Sequence, residues 1–265
     1  RDGLYHRSMM IAKNGTAFVS SSVKDYTDEA LSILIHDAQA TESLQDEFYH
    51  YAELCRPLLK VYRTNRKEGY EQEMQSYGTS PEDFVTVSCT PSMITMPESI
   101  AEQVTKRADS KSGKFLRIYQ AVRQCALDAL NAGKRITEVL YLPAVKRVTS
   151  NRVAVSMSDM FGRGTFYTAD EFIAHLEHIV EMTKKYPNYN VILTRKAVDG
   201  AMLNVKENVG AIIATAYPPS SIFCVSEPSL IALCSEYAHS FFGKISTKKS
   251  DVEKLKKYIE KLKNS

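Results

Sequence analysis

The sequence predicts an α/β protein: a mixed β-sheet flanked by helices, with a helical middle segment and a C-terminal amphipathic helix. Three observations carry this. From Ile136 onward the order reads strand, helix, four strands, helix, which is the order of a sheet layer covered by helices. From about residue 27 to 133 apolar residues recur mainly at helical spacing. The last sixteen residues repeat apolar positions at spacings of three and four. The expected organisation is one α/β sensor domain over 1–248 and a separate helix over 249–265.

Composition narrows the class. Of 265 residues 44% are hydrophobic, enough for a substantial core and too many for a disordered chain. A net charge of only +3, with Lys and Arg dispersed, lacks the concentrated basic face of a nucleic-acid-binding domain. Five cysteines in no C-x-x-C pair read as reduced thiols in a cytoplasmic protein. No apolar run reaches the length of a membrane span and no signal peptide opens the chain, so no membrane contact is expected. The start at Arg1 without a Met suggests a piece of something longer.

The stretch from His6 to Val23 reads as strand, turn, strand, with Asn14-Gly15 as a type I′ turn. On the same residues the hairpin resembles that of phospholipase-D-type phosphodiesterases, which carry His-x-Lys-x4-Asp followed by Gly-Ser and Asn. His6 keeps the histidine, but Ser8 stands at the lysine, Lys13 at the aspartate, Ser20 and Ser21 at Gly-Ser, and Val23 at the Asn. That chemistry needs a lysine to neutralise phosphate and a carboxylate to orient the histidine nucleophile. Neither is present, so an ordinary hairpin and a degenerate catalytic one both stay open, and no enzymatic activity is expected.

A long helix is expected from Thr27 to about Tyr62, with Asp28 and Glu29 in its first turn and Leu31, Leu34, Ile35, Ala38, Leu44, Phe48, Tyr51, Leu54 and Cys55 at helical spacing. A weaker helix spans Tyr70 to Ser76, and Gly78-Thr79-Ser80-Pro81 breaks it. Phe84 to Cys89 alternates as a strand. Pro97 suits the first position of a helix over Glu98 to Ala108, and a second helix runs from Lys114 to Ala132, stopped by Gly133.

Ile136 to Pro143 reads as a short buried strand, followed by the basic run Arg147 to Arg152 and by Val153 to Phe161, a strand or an irregular lining segment. Thr168-Ala169-Asp170-Glu171 is a capping box, with Tyr167 and Phe172 placed as a hydrophobic staple, for a helix to Lys185. Strands follow at Asn190 to Thr194, Met202 to Lys206, Gly210 to Ala216 and Ser221 to Val225, then a helix over Pro228 to His239. Met202 to Ala216 repeats the strand-turn-strand build of His6 to Ser20. The stretches TADEFIAHLEHIVEMTKKYPNYNVIL and VGAIIATAYPPSSIFCVSEPSLI resemble the C-terminal region of a group of bacterial helix-turn-helix transcriptional regulators, over roughly Ile136 to Phe242. The resemblance implies a non-enzymatic, ligand-sensing or dimerising effector module, reaching DNA only through a domain absent from this chain. The rival reading is a hydrolase with a modified site around His6.

Candidate ligand-binding residues are His6, Ser8, Ser20 and Ser21 on the hairpin and Arg147, Arg152 and Arg163 on polar loops, which together would suit a small anionic ligand where α/β sheets bind theirs. Gly162-Arg163-Gly164 offers amides to an anion or is simply a loop. His175 and His178 lie three apart on one helix, a spacing compatible with a metal, but no third ligand accompanies them and a helical face is the simpler reading. No cofactor or metal is expected. In the C-terminal segment Ser250 reads as N-cap, and Val252, Leu255, Ile259 and Leu262 form a seam that must dock, on its own domain or on a second copy. A homodimer is expected.

Overall fold

Two sheets order the chain. A computed structural model describes residues 5–12, 15–23, 30–55, 57–66, 68–78, 80, 82–108, 113–160, 163–195, 200–215, 217–242 and 248–265, with the side chains of residues 5, 71, 248 and 249 outside that description. The chain divides into two compact units, Arg1–Pro57 and Leu58–Ser265. The boundary thus falls at 57/58 and not at the expected 248/249.

The first unit holds β1 (Tyr5–Ala12), β2 (Thr16–Val23), β3 (Leu31–Ile35) and α1 (Ala38–Leu54). The strands form an antiparallel sheet in the order β1-β2-β3. Gly15, at φ +79°, reverses the hairpin, a conformation that glycine adopts without a Cβ penalty. Lys13 and Asn14, and with them the expected turn type, lie outside the described residues, as do Thr27, Asp28 and Glu29. The long helix expected to Tyr62 is corrected by three elements: β3, the shorter α1, and β4 (Leu59–Arg63), an edge strand of the second unit. Leu31, Leu34 and Ile35 fit helical spacing as well as they fit a strand, but β-branched Ile33 and Ile35 pair with Val19 and Ala17. The helix begins at Asp37, whose carboxylate accepts from the Ala40 amide at 2.8 Å.

After β4 the second unit runs α2 (Tyr70–Gly78), β5 (Phe84–Ser88), α3 (Glu98–Arg107), α4 (Lys114–Asn131), β6 (Ile136–Leu140), α5 (Val145–Thr149), α6 (Ala169–Lys185), β7 (Tyr189–Leu193), β8 (Ala201–Lys206), β9 (Gly210–Thr215), β10 (Ser221–Val225), α7 (Pro228–His239) and α8 (Lys248–Lys263). Its seven-stranded mixed sheet has the order β4-β10-β9-β8-β5-β6-β7, with β5, β6 and β7 parallel and the remaining pairs antiparallel. Pro97 is the N-cap of α3, one residue before its expected place. Gly133, at φ +83°, ends α4 with its own amide on Leu130 O and the Lys134 amide on Ala129 O, the double bond of a Schellman stop. Between β6 and α6 the chain is mainly irregular: α5 is five residues long, and Ala154 bridges Phe166. Phe161 lies outside the described residues.

Both faces of the large sheet are covered, as a sheet with parallel strands requires. One face packs Phe84, Ile136, Leu140, Val191, Met202 and Ile212 against α2, α4, α6 and α8. The other packs Val85, Val87, Val139, Leu203 and Val205 against α7. The capping box of α6 is formed in both directions by Thr168 and Glu171, and the Tyr167 and Phe172 rings of the staple sit 5.7 Å apart edge to face. The α8 seam docks within its own unit: Leu255, Ile259 and Leu262 are buried in the core beside α6 and β7, with Val252 partly buried. Ser250 lies inside α8, which begins at Lys248, so it is not the N-cap. Asp251 reaches across the β7 edge, accepting from the Leu193 amide at 3.2 Å.

Candidate functional site

An apolar cavity of about 70 Å³ lies between the sheet and helices α2 and α4 of the second unit. Phe84, Ile136, Met202 and Ile212 form its floor, Met74 and Tyr77 one wall, Ile118 and Val122 another, and the loop over Pro91 to Met96 a third. Five of its lining residues are methionines, whose unbranched, polarizable side chains repack around what they enclose. Polar groups interrupt this apolar lining, among them Tyr77, Asn204 and Lys206. The Tyr77 hydroxyl is buried without a hydrogen-bond partner, and burial first, then the Cys224 thiol, raises its pKa, so it stays protonated and can donate a hydrogen bond. Asn204 is buried at the same cavity.

Lys206 shows why the Tyr77 wall stands where it does. Its ammonium is buried and donates to the carbonyls of Tyr77, Gly78 and Ser80 at 2.8, 3.1 and 2.7 Å. The first two are carbonyls of the last residues of α2, where a cation is favoured, and the third, which also accepts from the Glu82 amide, lies just beyond the helix. Burial lowers the lysine's pKa, and the charge is carried by the helix terminus in place of a carboxylate.

A polar row crosses the cavity face of the sheet. Glu138 on β6 stands opposite Thr86 on β5, and Thr86 opposite Asn204 on β8. Glu138 is fully buried; desolvation raises its pKa, opposed by bonds from the Tyr189 hydroxyl, the Ser92 amide and the Thr95 hydroxyl. Thr95 Oγ1 also meets His175 Nε2 at 3.2 Å, and His175 Nδ1 meets the Tyr167 hydroxyl at 3.1 Å. Burial, then the neighbouring His178, lowers the His175 pKa to about 3, so the ring is neutral and uses both nitrogens in this chain. His178 Nδ1 donates to Thr95 O at 2.7 Å. The two histidines therefore lock the cavity's loop to α6, and among the described residues no cluster suited to a metal occurs.

The residues singled out from sequence are placed elsewhere. His6 lies opposite Ser22 and is exposed, while Ser8, Ser20 and Ser32 form one cross-strand row, with Ser32 Oγ donating to Ser20 Oγ at 3.2 Å. Ser21 lies on the opposite face, across from Arg7, which pairs with Glu47 of α1 at 2.5 Å. Arg147, Arg152 and Arg163 belong to the second unit. Arg147 stacks 4.4 Å from the Tyr217 ring centroid and its Nε donates to Arg152 O at 3.3 Å, which brings those two positions together. Arg152 and Arg163 are exposed, and the Arg163 amide donates to Ala108 O. None of the seven lines the cavity. Gly162 lies outside the described residues; Gly164 is glycine because a Cβ there would come within 2.9 Å of Pro218.

What the sequence reading passed over is the cavity and its polar row. A usable signal existed in ITEVL and MLNVK, where Glu138, Asn204 and Lys206 interrupt otherwise apolar strands at inward-facing positions. Of these, Lys206 is held by three carbonyls and Asn204 is buried at the cavity.

No family model matches this chain, and no curated protein does. Among solved structures it is similar to that of TrmBL2, an archaeal chromatin protein whose structure shows a novel mode of DNA binding, at 10% identity and a TM-score of 0.35. That similarity covers 78% of this chain and 62% of the other.

Proposed function

We propose that the second unit is the sensing module of a regulator and that its ligand is a small, uncharged, largely apolar molecule carrying a hydrogen-bond acceptor. The observation that carries this is the Tyr77 hydroxyl, a donor left without a partner at an apolar cavity. Such a group costs on the order of 1–3 kcal/mol when buried unmet, a cost that an incoming acceptor removes. An anion is disfavoured because Lys206, the cation in the lining, is committed to three carbonyls. The likeness of Ile136 to Phe242 to effector regions of helix-turn-helix regulators supplies the regulatory half of the reading. The cavity loop shares hydrogen bonds with α6 through Thr95, so a ligand that shifts the loop strains the contacts to His175 and His178.

The test is thermal unfolding of the full chain with small carbonyl compounds such as cyclohexanone and acetophenone. A saturable rise in Tm is expected, weakened about tenfold in affinity by Tyr77→Phe through loss of one hydrogen bond. Ala129→Leu, which fills the cavity, should abolish it. A panel that raises no Tm, or raises it equally in Ala129→Leu, overturns the proposal.

A further inference from the structure

The edges of the two sheets are treated unequally. An open edge strand invites pairing with another chain, and proteins blunt such edges with charge or cover them. The β1 edge carries His6 and Arg7, β4 carries Lys60 and Arg63, and the β7 edge is covered by α8 through Asp251. The remaining edge, β3, reads Leu-Ser-Ile-Leu-Ile, with no charge and no proline, and pairs only with β2 among the described residues.

The unit around β3 has almost no interior. Among its described residues only Ala17 and Thr41 are buried. Leu31 is 64% exposed, Ile33 47%, Phe48 49%, Tyr51 57% and Leu54 71%, with Leu34, Tyr49 and Met10 exposed as well. Met10 and Leu34, in line with Phe18, lie on the other face of the sheet; at about 150–250 Å² per aromatic and roughly half that per aliphatic side chain, the remaining exposed parts sum to on the order of 500 Å² of apolar surface. A standard interface takes about 800 Å² from each partner, about 65% of it apolar in homodimers. The available surface therefore meets the need of one dimer interface.

We infer that this surface is completed by a second copy of the chain, joined β3 to β3 about a two-fold axis at Ile33. An antiparallel pairing centred there sets Ile33 against its own copy and Leu31 against Ile35, all on the face that bears α1, since Ile33 and Leu31 lie in line with Val19 and Ser21 and hence with Arg7, the residue that α1 binds. An axis perpendicular to the sheet keeps both α1 helices on one side of a six-stranded sheet. Phe48 and Tyr51, on neighbouring turns of α1, supply the aromatic cover for the apolar cross-strand pairs. The α8 seam, occupied inside its own unit, is not the joint.

Light scattering of the full chain at micromolar concentration should give twice the chain mass. Ile33→Lys and Ile33→Glu each put two like charges directly opposite and should weaken association roughly 100-fold. Mixing the two variants should restore the dimer, since opposite charges then meet across the axis, and a variant that merely unfolds cannot be rescued in this way. A monomeric wild type, a dimer indifferent to Ile33→Lys, or a mixture that stays monomeric overturns the inference.

Discussion

Lys206 and Tyr77 meet twice: the lysine's ammonium donates to the tyrosine's carbonyl at 2.8 Å and lies 5.1 Å from the centroid of its ring. A strand side chain thus closes the end of α2 and supports the wall of the cavity together. Lys206→Met keeps the stem and removes the donor, leaving three carbonyls without it. A loss of about 2–4 kcal/mol is expected in denaturant unfolding. A change under 1 kcal/mol would show that water replaces the ammonium there.

His175 makes stability depend on pH. Its pKa is about 3 in the folded chain against 6.5 for an ordinary histidine, so between those values the unfolded chain binds the extra proton. Stability from this group is full above pH 6.5 and falls as pH drops toward 3, by about 1.4 kcal/mol per unit. Glu138 acts in the opposite sense, because a raised carboxyl pKa costs stability as pH rises above 4.5. Comparing the wild type with His175→Gln isolates the histidine: the variant should lose that slope over pH 6 to 4 while keeping the rest of the profile. Equal slopes would show that His175 is protonated in the fold.

The α6 start should show two sizes of effect. Thr168→Ala removes one cap bond and should cost about 1 kcal/mol. Glu171→Ala removes the reciprocal cap bond and also the two-pronged pair to Arg107, at 2.5 and 2.8 Å, and should cost more. Chemical denaturation of both variants checks the order.

Leu255→Ala and Ile259→Ala should each destabilise by about 2–4 kcal/mol, because both side chains are buried in the core. Mass by light scattering should match the wild type. Loss of association with unchanged monomer stability would instead assign the seam to a partner.

Much of the large sheet was legible because its elements announce themselves locally. The Thr168 to Glu171 box, Gly133 and the Pro228 helix start fix their own boundaries through caps, and these fell within a residue or two of expectation. β3 was not legible, since Leu31, Leu34 and Ile35 satisfy two periods and only pairing with β2 decides between them. The cavity was not legible either. Glu138, Thr95 and His175 are far apart in sequence, and the two successive parallel crossovers, β5 to β6 and β6 to β7, bring them together. His6 and the arginines stand out in the sequence as polar residues on loops and a hairpin, whereas a buried polar residue is recognisable only with its partner.

Strand β4 opens the second unit, yet among the described residues the strand it pairs with is β10, with Leu59 opposite Val225. At synthesis rates of about 5–20 residues per second, β4 waits on the order of ten seconds or more after leaving the ribosome before a place in the sheet exists for it. Leu59 and Val61 would be unpaired during that wait and stay exposed at the finished edge, and Lys60 and Arg63, which interrupt and follow them, would repel a like strand on a neighbouring nascent chain. The charges that blunt the finished edge thereby also guard the order in which the sheet is assembled.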